Sequence, residues 1–401
     1  MGALSHLKVL DLSRVLAGPW ASQILGDLGA EVIKIERPGS GDDTRGWGPP
    51  FLRDTDGKPT SEAAYFLSAN RNKRSVAIDI AKPEGQALVR ELAAQCDIVL
   101  ENFKVGGLRQ YGLDYTSLKA LNPRLIYCSI TGFGQDGPYA DRAGYDFLIQ
   151  GMGGLMSLTG ELDGDPQKVG VALTDIMTGL YAAIGVLAAL AHRERTGEGQ
   201  HIDLALLDVQ IACLANQAMN YLTTGVAPTR LGNAHPNIVP YQAFPTADGD
   251  IILAIGNDGQ FARFCEVAGQ GWAGDERFAT NRARVDHRQV LVPLIRQTTV
   301  MRTTADWIAA LEQAGVPCGP INTLDQVFAD PQVRHREMQL SLSHALGIGA
   351  PSVASPLRMS STPVDYRLAP PMLGQDTAEV LRNWLGLDSE RIAALRAAGV
   401  L

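Results

Sequence analysis

The feature that most constrains the fold of this chain is an alternation of short apolar strands and helical segments over its first 130 residues. Strand patterns occupy 8–12, 31–36, 75–80, 97–100 and 125–130, and helical patterns occupy 19–28 and 83–95. Strands that alternate with helices are typical of βαβ units, in which the strands run parallel and the helices cover the sheet. The sequence therefore predicts an α/β fold with a Rossmann-like parallel sheet, whose ligands bind at the carboxyl ends of the strands.

The rest of the chain changes character twice. A long apolar helical segment follows Asp175, and a strand at 201–206 leads to a helix that reaches about residue 222. Short helices, glycine-bearing loops and one hairpin come next, before Pro-rich extended chain leads to helices at 377–385 and 389–397. We predict three regions from this pattern. They are a large ligand-binding domain at 1–222, a smaller α+β domain at 223–330, and a C-terminal segment at 331–401 that returns to the large domain.

Charge and composition exclude several classes of protein. The chain has 35 basic and 43 acidic residues, a net charge of −8, which disfavours a nucleic-acid partner. The apolar stretch at 176–190 is short for a membrane span, so we expect a buried core helix and no membrane partner. The histidines form no H-E-x-x-H motif and the cysteines no C-x-x-C pair, so no metal site is expected. No secretory leader is visible at residues 1–6, and we expect a cytoplasmic protein.

One carboxylate, Asp175, stands at the head of the long apolar segment. An acid there meets the unpaired N–H groups and the positive dipole end of a helix. We expect these groups to hold the acid ionised and to stabilise an oxyanion that forms beside it, as a carboxylate nucleophile requires. The alternative is an ordinary N-cap, which stabilises its helix by about 1 kcal/mol.

Loops at the predicted strand ends carry cations, glycines and polar side chains. A glycine-rich segment follows Arg37, three cations lie within 70–74, and 101–104 combines polar groups with an aromatic ring. Backbone amides of a glycine-rich loop can approach an anion closely. Three such loops favour a large phosphorylated ligand. A nicotinamide site is the weaker alternative, because the turn at 13–19 has one glycine where the dinucleotide fingerprint has three.

Short motifs spread over nearly the whole chain carry a family resemblance. They lie at 10–19, 29–36, 72–75, 101–103, 142–146, 196–200 and 315–320. In these motifs the chain resembles the class III CoA-transferases, also called the CaiB/BaiF family, which include formyl-CoA transferase and the carnitine CoA-transferases. Stretches at 126–132, 238–244 and 319–322 most resemble the branch of succinate–hydroxymethylglutarate (glutarate) CoA-transferases.

The resemblance implies a site and a reaction. Asp175 matches the aspartate that forms covalent intermediates. Coenzyme A contacts are implied at Val15, Leu16, Arg37, Ile78, Asn102, Phe103, Lys104, Arg109, Ala143, Tyr145 and Asp146. The implied substrates are an acyl-CoA, with succinyl-CoA or glutaryl-CoA as donor, and a carboxylic acid acceptor that is a dicarboxylate. No tightly bound cofactor is implied, and the implied assembly is an intertwined homodimer.

Three departures from the family pattern bear on the substrate. Leu16 stands where formyl-CoA transferase has a glutamine that handles the small oxalate and formyl oxygens. The tetraglycine loop that closes over the nucleophile in that enzyme is absent, and 256–260 is the nearest candidate. Both differences disfavour oxalate. An arginine expected near Gln110 stands one residue earlier, at Arg109.

Other functions on the same fold stay open at this stage. They are an oxalate-type formyl-CoA transferase, a 2-methylacyl-CoA racemase, and a CoA-binding regulatory protein without activity. A dicarboxylate would also need a cation for its remote carboxylate, and the sequence does not rank the candidates Arg45, Arg71, Arg230 and His235.

Overall fold

A computed structural model describes residues 2–401 of the chain. The strands are, in chain order, β1 (Lys8–Asp11), β2 (Glu31–Glu36), β3 (Phe51–Arg53), β4 (Pro59–Ala63), β5 (Lys73–Ala77), β6 (Ile98–Glu101), β7 (Ile126–Thr131), β8 (His201–Ala205), β9 (Tyr241–Pro245), β10 (Asp250–Ala254), β11 (Cys318–Pro320), β12 (Gln339–Ser343) and β13 (Gly349–Val353).

Seventeen helices accompany these strands within residues 2–401. They are α1 (Ala17–Asp27), α2 (Ala64–Ser68), α3 (Pro83–Ala94), α4 (Tyr115–Leu121), α5 (Asp146–Met152), α6 (Leu155–Leu158), α7 (Leu173–Thr196), α8 (Leu206–Ala212), α9 (Ala215–Thr224), α10 (Asp258–Ala268), α11 (Asn281–Asp286), α12 (Arg288–Thr299), α13 (Thr304–Gln313), α14 (Leu324–Ala329), α15 (Pro331–His335), α16 (Thr377–Leu385) and α17 (Ser389–Ala397). Short 3₁₀ turns lie at Asp43–Gly46, Arg109–Tyr111 and Trp272–Gly274.

The central element is a six-stranded sheet in the order β5-β2-β1-β6-β7-β8. Every neighbouring pair in it is parallel. The predicted α/β fold with a large parallel sheet is therefore confirmed. The strand predicted at 75–80 lies two to three residues earlier, at Lys73–Ala77. The chain leaves the sheet after Ile78, because the Asp79 N–H donates to the Val400 carbonyl instead of to a strand.

Apolar side chains cover both faces of this sheet, as expected for strands that point successive side chains to opposite sides. One face packs against α3 and against the last two helices, and its buried residues include Leu10, Ile33, Val99, Leu92 and Val380. The other face packs against α1 and α7, and includes Val9, Val32, Leu100, Leu25 and Val186. The C-terminal helices thus supply part of the core of the sheet.

By its internal contacts the chain divides into two units. The larger comprises the residues up to Gly154, Val169–Ala218 and Pro331–Leu401, and the smaller comprises Leu155–Lys168 and Met219–Asp330. The segment 155–168 lies within the range that the sequence assigned to the large domain. In the smaller unit, the sheet β11-β10-β9 is antiparallel and has its own core of apolar side chains, among them Phe244, Leu253 and Trp307.

Two of the predicted helices differ from the structure. Helix α7 is longer and less buried than the core helix expected at 176–190, and the helix expected up to residue 222 is two helices. Helix α7 spans 24 residues and is, among residues 2–401, the one helix long and apolar enough to cross a membrane by length and composition alone. In the structure 44% of its most apolar window is buried. Small side chains such as Ala182 and Ala189 form the buried face, on the side of α1 and the sheet. The single helix predicted up to residue 222 is wrong, because the chain breaks between α8 and α9, where Ala215 has a φ of +43°.

Close packing of α7 on α1 gives a first prediction. A Cβ at Gly179 would lie 2.8 Å from the Ala17 carbonyl oxygen and 3.0 Å from the Trp20 Cβ. We expect Gly179→Ala to lower the free energy of unfolding by about 1–3 kcal/mol, because backbone of α1 must shift. Gly185→Ala is the matched control, since its Cβ would meet only Ile202 at 3.4 Å, and better helix propensity should stabilise it by up to about 1 kcal/mol. Urea unfolding measures both, and equal effects would contradict this account of the packing.

Candidate active site

Two cavities open at the carboxyl ends of the strands in the larger unit. The first, of about 420 Å³, is lined by loops that follow β1, β6 and β7, and by Asp175. The second, of about 480 Å³, is lined by loops that follow β1, β2 and β5. Arg14, Asp43, Phe103 and Tyr111 line both. The cavities are therefore neighbours with a common wall, at the edge of the sheet where parallel α/β folds bind ligands.

Most residues implied by the family resemblance lie around these cavities. The first is lined by Val15, Leu16, Asn102, Phe103, Lys104, Ala143, Tyr145 and Asp175, and the second by Arg37, Ile78 and again Phe103. Two residues implied by the resemblance line neither cavity. Arg109 is exposed in a 3₁₀ turn, where its neighbour Gln110 lines the first cavity instead. Asp146 begins α5 and contacts the start of α7.

Asp146, not Asp175, caps helix α7. Asp175 is the third residue of the helix, and the N-cap residue Ala172 offers no side-chain acceptor. The Asp146 carboxylate instead accepts the Thr174 N–H at 2.8 Å and the Asp175 N–H at 3.4 Å. The interpretation of Asp175 as an ordinary N-cap is therefore wrong. Its own carboxylate accepts no hydrogen bond from the described part of the chain, and it faces the cavity.

The expectation that the helix terminus holds Asp175 ionised is wrong as well. Burial, and then the nearby Asp146 carboxylate, raise the pKa of Asp175 to about 7. The N–H groups that would have lowered this pKa already donate to Asp146. A carboxylate that is poorly solvated and free of partners reacts more readily as a nucleophile than one in water. The same two causes that raise the pKa thus suit Asp175 to covalent chemistry.

Tyr65 lines neither cavity, but its phenol responds to the charge of Asp175, a link that the sequence did not reveal. It lies in α2, after the β3–β4 hairpin, and its ring meets the Trp47 ring edge-on at 5.1 Å. Burial and the charges of Asp175, Asp146 and Asp42 raise the pKa of its phenol to about 12. The hydroxyl therefore stays protonated at neutral pH. No motif marks Tyr65, because only the tertiary fold brings it near these acids.

At the second cavity, the acid that would bind a nicotinamide ribose is already engaged, while Arg37 makes no ion pair within residues 2–401. The Glu36 carboxylate, placed where a dinucleotide fold puts its ribose acid, is buried and bound by Arg45 through two hydrogen bonds of 2.7 Å. Arg37, one residue later, is exposed and makes no ion pair within residues 2–401, so it is available to a phosphate. No group of three His, Cys, Asp or Glu side chains is arranged for a metal in that same range.

The cations considered for a remote carboxylate are mostly engaged already. Arg45 is committed to Glu36, and its guanidinium stacks 3.6 Å from the centre of the Phe66 ring. Arg71 pairs with Asp27 at 2.6 Å, and both side chains are buried. In the smaller unit, Arg230 donates to the backbone carbonyls of Glu161 and Gly164. Neither Arg45 nor Arg71 is therefore free for a substrate.

Comparison with known proteins agrees with this geometry. The model of CoA-transferase family III matches residues 4–377. The chain belongs to this family. It is thus a CoA-transferase, and the family resemblance carried by the sequence motifs is confirmed.

Several known proteins are similar to this chain over almost its whole length. A succinate–glutarate CoA-transferase from Agrobacterium fabrum is 56% identical over 379 residues, which are 94% of each chain. A succinyl-CoA:glutarate CoA-transferase from Mus musculus is 45% identical, over 100% of this chain and 91% of its own. The crystal structure of a CaiB/BaiF family protein from Brucella suis is 54% identical, with a TM-score of 0.85 over 96% of this chain and 99% of that one.

The raised pKa of Asp175 gives a prediction that needs no activity assay. Because the folded chain binds this proton more tightly than the unfolded chain does, stability falls as pH rises from the ordinary value of 3.8 to about 7. Asp175→Asn removes this loss, so the gain in Tm should be larger at about pH 8 than at about pH 4. Asp208→Asn, which changes an exposed acid in the first turn of α8, should give no such pH-dependent gain. Equal gains for Asp175→Asn at the two pH values would contradict the raised pKa.

Proposed function

We propose that this enzyme transfers coenzyme A from succinyl-CoA or glutaryl-CoA to a dicarboxylic acid through covalent intermediates on Asp175. The observation that carries the proposal is the unpartnered, largely desolvated Asp175 carboxyl in a cavity lined by the residues implied to contact coenzyme A. The nucleophile, the ligand contacts and the family then agree on one reaction class.

The two adjoining cavities suit one long ligand. Arg37 on the second cavity would bind a phosphate of the nucleotide end, while the thioester end reaches Asp175 in the first. Phe103 lines both, where its ring can cover the arm that connects the two ends. Lys104 adds a cation at the rim of the first cavity. Coenzyme A thus enters as a substrate held by loops at the strand ends.

The proposed reaction exchanges one thioester for another in four steps. The Asp175 carboxylate attacks the donor thioester carbonyl, forming a mixed anhydride and releasing the CoA thiolate. The thiolate attacks the aspartyl carbonyl, which leaves an aspartyl–CoA thioester and frees the donor acid. The acceptor carboxylate attacks that thioester, forming a second anhydride and the thiolate again. The thiolate then attacks the acceptor carbonyl, so that the new acyl-CoA leaves and Asp175 returns to its starting form.

Residues near Asp175 can assist these steps. Each attack places negative charge on a carbonyl oxygen, which fixed hydrogen-bond donors stabilise. We propose the Tyr65 phenol as such a donor, because its hydroxyl stays protonated at neutral pH and its pKa responds to the charge of Asp175. Exclusion of water from the same cavity protects both anhydrides and the aspartyl thioester from hydrolysis.

A dicarboxylate acceptor is supported by two observations. The relatives from Agrobacterium fabrum and Mus musculus are named for succinate, or succinyl-CoA, and glutarate. Leu16, which lines the first cavity, is apolar where a transferase for small polar oxalate has an amide. A buried methylene-bearing chain fits beside Leu16 better than oxalate does.

The experiment that tests this proposal is mass spectrometry of the enzyme after turnover. In separate reactions, the enzyme is mixed with succinyl-CoA and one acceptor acid, which is glutarate, oxalate or a monocarboxylate. Each reaction is then quenched in acid and the enzyme is digested. We expect transfer to glutarate and added mass on Asp175. Asp175→Ala should lose transfer by more than about a thousandfold while still binding coenzyme A.

Asp208→Ala is the matched control and should keep both transfer and the adduct, because this acid also lies in the first turn of a helix but is exposed. An active Asp175→Ala variant, or an adduct only at another residue, would refute the mechanism. Deuterium uptake at the α-carbon without acyl exchange would favour the racemase instead.

We also propose a homodimer that covers an apolar face of α7. Leu180, Ile184 and Leu187 follow one another at helical spacing, and each is exposed, with 59% of Ile184 accessible. Tyr181 extends the same surface. An apolar stripe of this kind on an exposed helix is typical of a protein interface. Burial of this face against a second copy of the chain would also explain why α7 is as long and apolar as a membrane span.

Sedimentation in buffer without detergent tests the homodimer. We expect a dimer for the wild type and a monomer for Ile184→Asp, because a buried, unpaired carboxylate would oppose association. Val290→Asp is the control, since this apolar residue is exposed on a helix of the smaller unit. A monomeric wild type, or a chain that needs detergent to stay in solution, would contradict the proposal.

A further inference from the structure

The turn that follows β1 adopts a backbone conformation that its sequence does not favour. Val15 has a φ of +72°. A β-branched residue in this left-handed region is a genuine outlier, and such residues persist only where their surroundings enforce them. The turn lies between the two cavities: Arg14 lines both, while Val15 and Leu16 line the one that contains Asp175.

Two side chains hold the backbone of this turn from different sides. The Asn102 side chain accepts the Arg14 N–H at 2.9 Å and donates to the Arg14 carbonyl at 2.7 Å. The Asp42 carboxylate accepts the Val15 N–H, with both of its oxygens at 3.3 Å from the nitrogen. Asn102 follows β6, and Asp42 precedes a 3₁₀ turn after β2. The turn is thus fixed by two separate strand-end loops.

The two side chains that hold the turn, Asn102 and Asp42, form a clamp on its backbone. A buried lysine fixes the Asp42 side of this clamp. Lys34 lies 2.9 Å from Asp42 and donates to the Ser13 carbonyl at 2.7 Å. The side chains of both Lys34 and Asp42 have no exposed surface. The Thr44 N–H and hydroxyl also donate to Asp42, so the carboxylate is fixed in place. Lys34 therefore contacts both the start of the turn and the acid that holds Val15.

The backbone beyond Val15 leads directly to the cavity that contains Asp175. Leu16 is the N-cap of α1, and helix α1 begins at Ala17. Both residues line the same cavity as Asp175. A change in the φ of Val15 would rotate everything that follows it, so the positions of Leu16 and Ala17 depend on the clamp.

We infer that Asp42 and Lys34 are positioning residues for CoA transfer, and that they act by holding Val15 in its left-handed conformation. The inference rests on the proposed chemistry at Asp175. Breaking a buried ion pair removes stability wherever the pair lies. This pair does more, because its carboxylate fixes the backbone that shapes the wall of the reaction cavity.

The first test compares two substitutions of one residue. Val15→Pro and Val15→Gly both remove the isopropyl group. Proline forbids a positive φ and has no N–H to donate to Asp42, whereas glycine adopts this φ freely and keeps that N–H. We expect kcat of Val15→Pro to fall roughly tenfold or more below that of Val15→Gly, because misplaced groups near the reacting atoms slow the reaction. Equal kcat values for the two variants would overturn the inference. The turn lies outside the helices and strands, which favours folding of both.

The second test removes the clamp and then removes the conformational cost. Asp42→Asn should lower kcat by roughly tenfold or more, with KM for acyl-CoA changed by less than about threefold. Adding Val15→Gly should recover about threefold or more of kcat, since glycine needs no clamp to hold this φ, but should not recover Tm. A loss of stability alone would not produce this rescue.

Asp27→Asn is the matched control for a buried acid. Asp27 also pairs with a buried cation, Arg71, but lines neither cavity. We expect it to lower Tm and to leave kcat of the folded enzyme unchanged. An Asp42→Asn enzyme as active as Asp27→Asn, or one that Val15→Gly does not rescue, would overturn the inference. If Asp42→Asn does not fold, the two Val15 variants decide.

Failure of the inference and failure of the proposed function give different results. A wild-type enzyme that never carries an adduct on Asp175 would refute the function. The positioning role alone would be refuted by a different result. In that case the wild type carries the adduct, while Val15→Pro is as active as Val15→Gly and Asp42→Asn is as active as Asp27→Asn.

Discussion

Pairing of buried charge at the strand ends is the interaction on which the rest of the structure depends. Lys34 and Lys73 are both fully buried, and they lie within reach of the carboxylates of Asp11 and Asp42. Charges removed from water must be paired to be tolerated, so these four side chains fix one another. Burial lowers the pKa of Lys73 to about 8, although Asp11 opposes this. Because the four residues come from β1, β2, β5 and the loop after β2, their pairing sets where the cavity loops begin.

Because buried charge is stable only when it is paired, two acids of the larger unit have pKa values shifted in opposite directions. Asp42 is buried, which alone would raise its pKa, but Lys34 and Thr44 lower that pKa to about 2. Asp175 has no cation beside it, so burial and Asp146 raise its pKa to about 7. One acid is thus a permanent anion that supports backbone, and the other is a reactive group near neutral pH. Environments that separate the pKa values of neighbouring acids are typical of active sites.

Much of the fold followed from local patterns, whereas the site depended on long-range contacts. The parallel sheet was predictable because strand and helix periodicity is local, and α16 and α17 match their predicted bounds. The raised pKa of Asp175 was not, because its causes are burial in the folded chain and then the charge of Asp146, which comes from another helix. Tyr65 carries no motif, and the effect of the Asp175 charge on its pKa arises only in the folded chain. The positive φ of Val15 is equally invisible in a sequence that reads as an ordinary loop.

Helix α7 is fixed at both of its ends, which limits how this chain can vary. Its first turn carries Asp175, and near its last turn the buried Arg193 pairs with Asp97 at 3.0 Å, just before β6. One inserted or deleted residue between these two anchors would turn one end by about 100° and shift it by about 1.5 Å relative to the other. Either the acid would leave the cavity or the guanidinium would lose its carboxylate. The number of residues between 175 and 193 is therefore a constraint of its own, and divergence in this helix is confined to exchanging side chains.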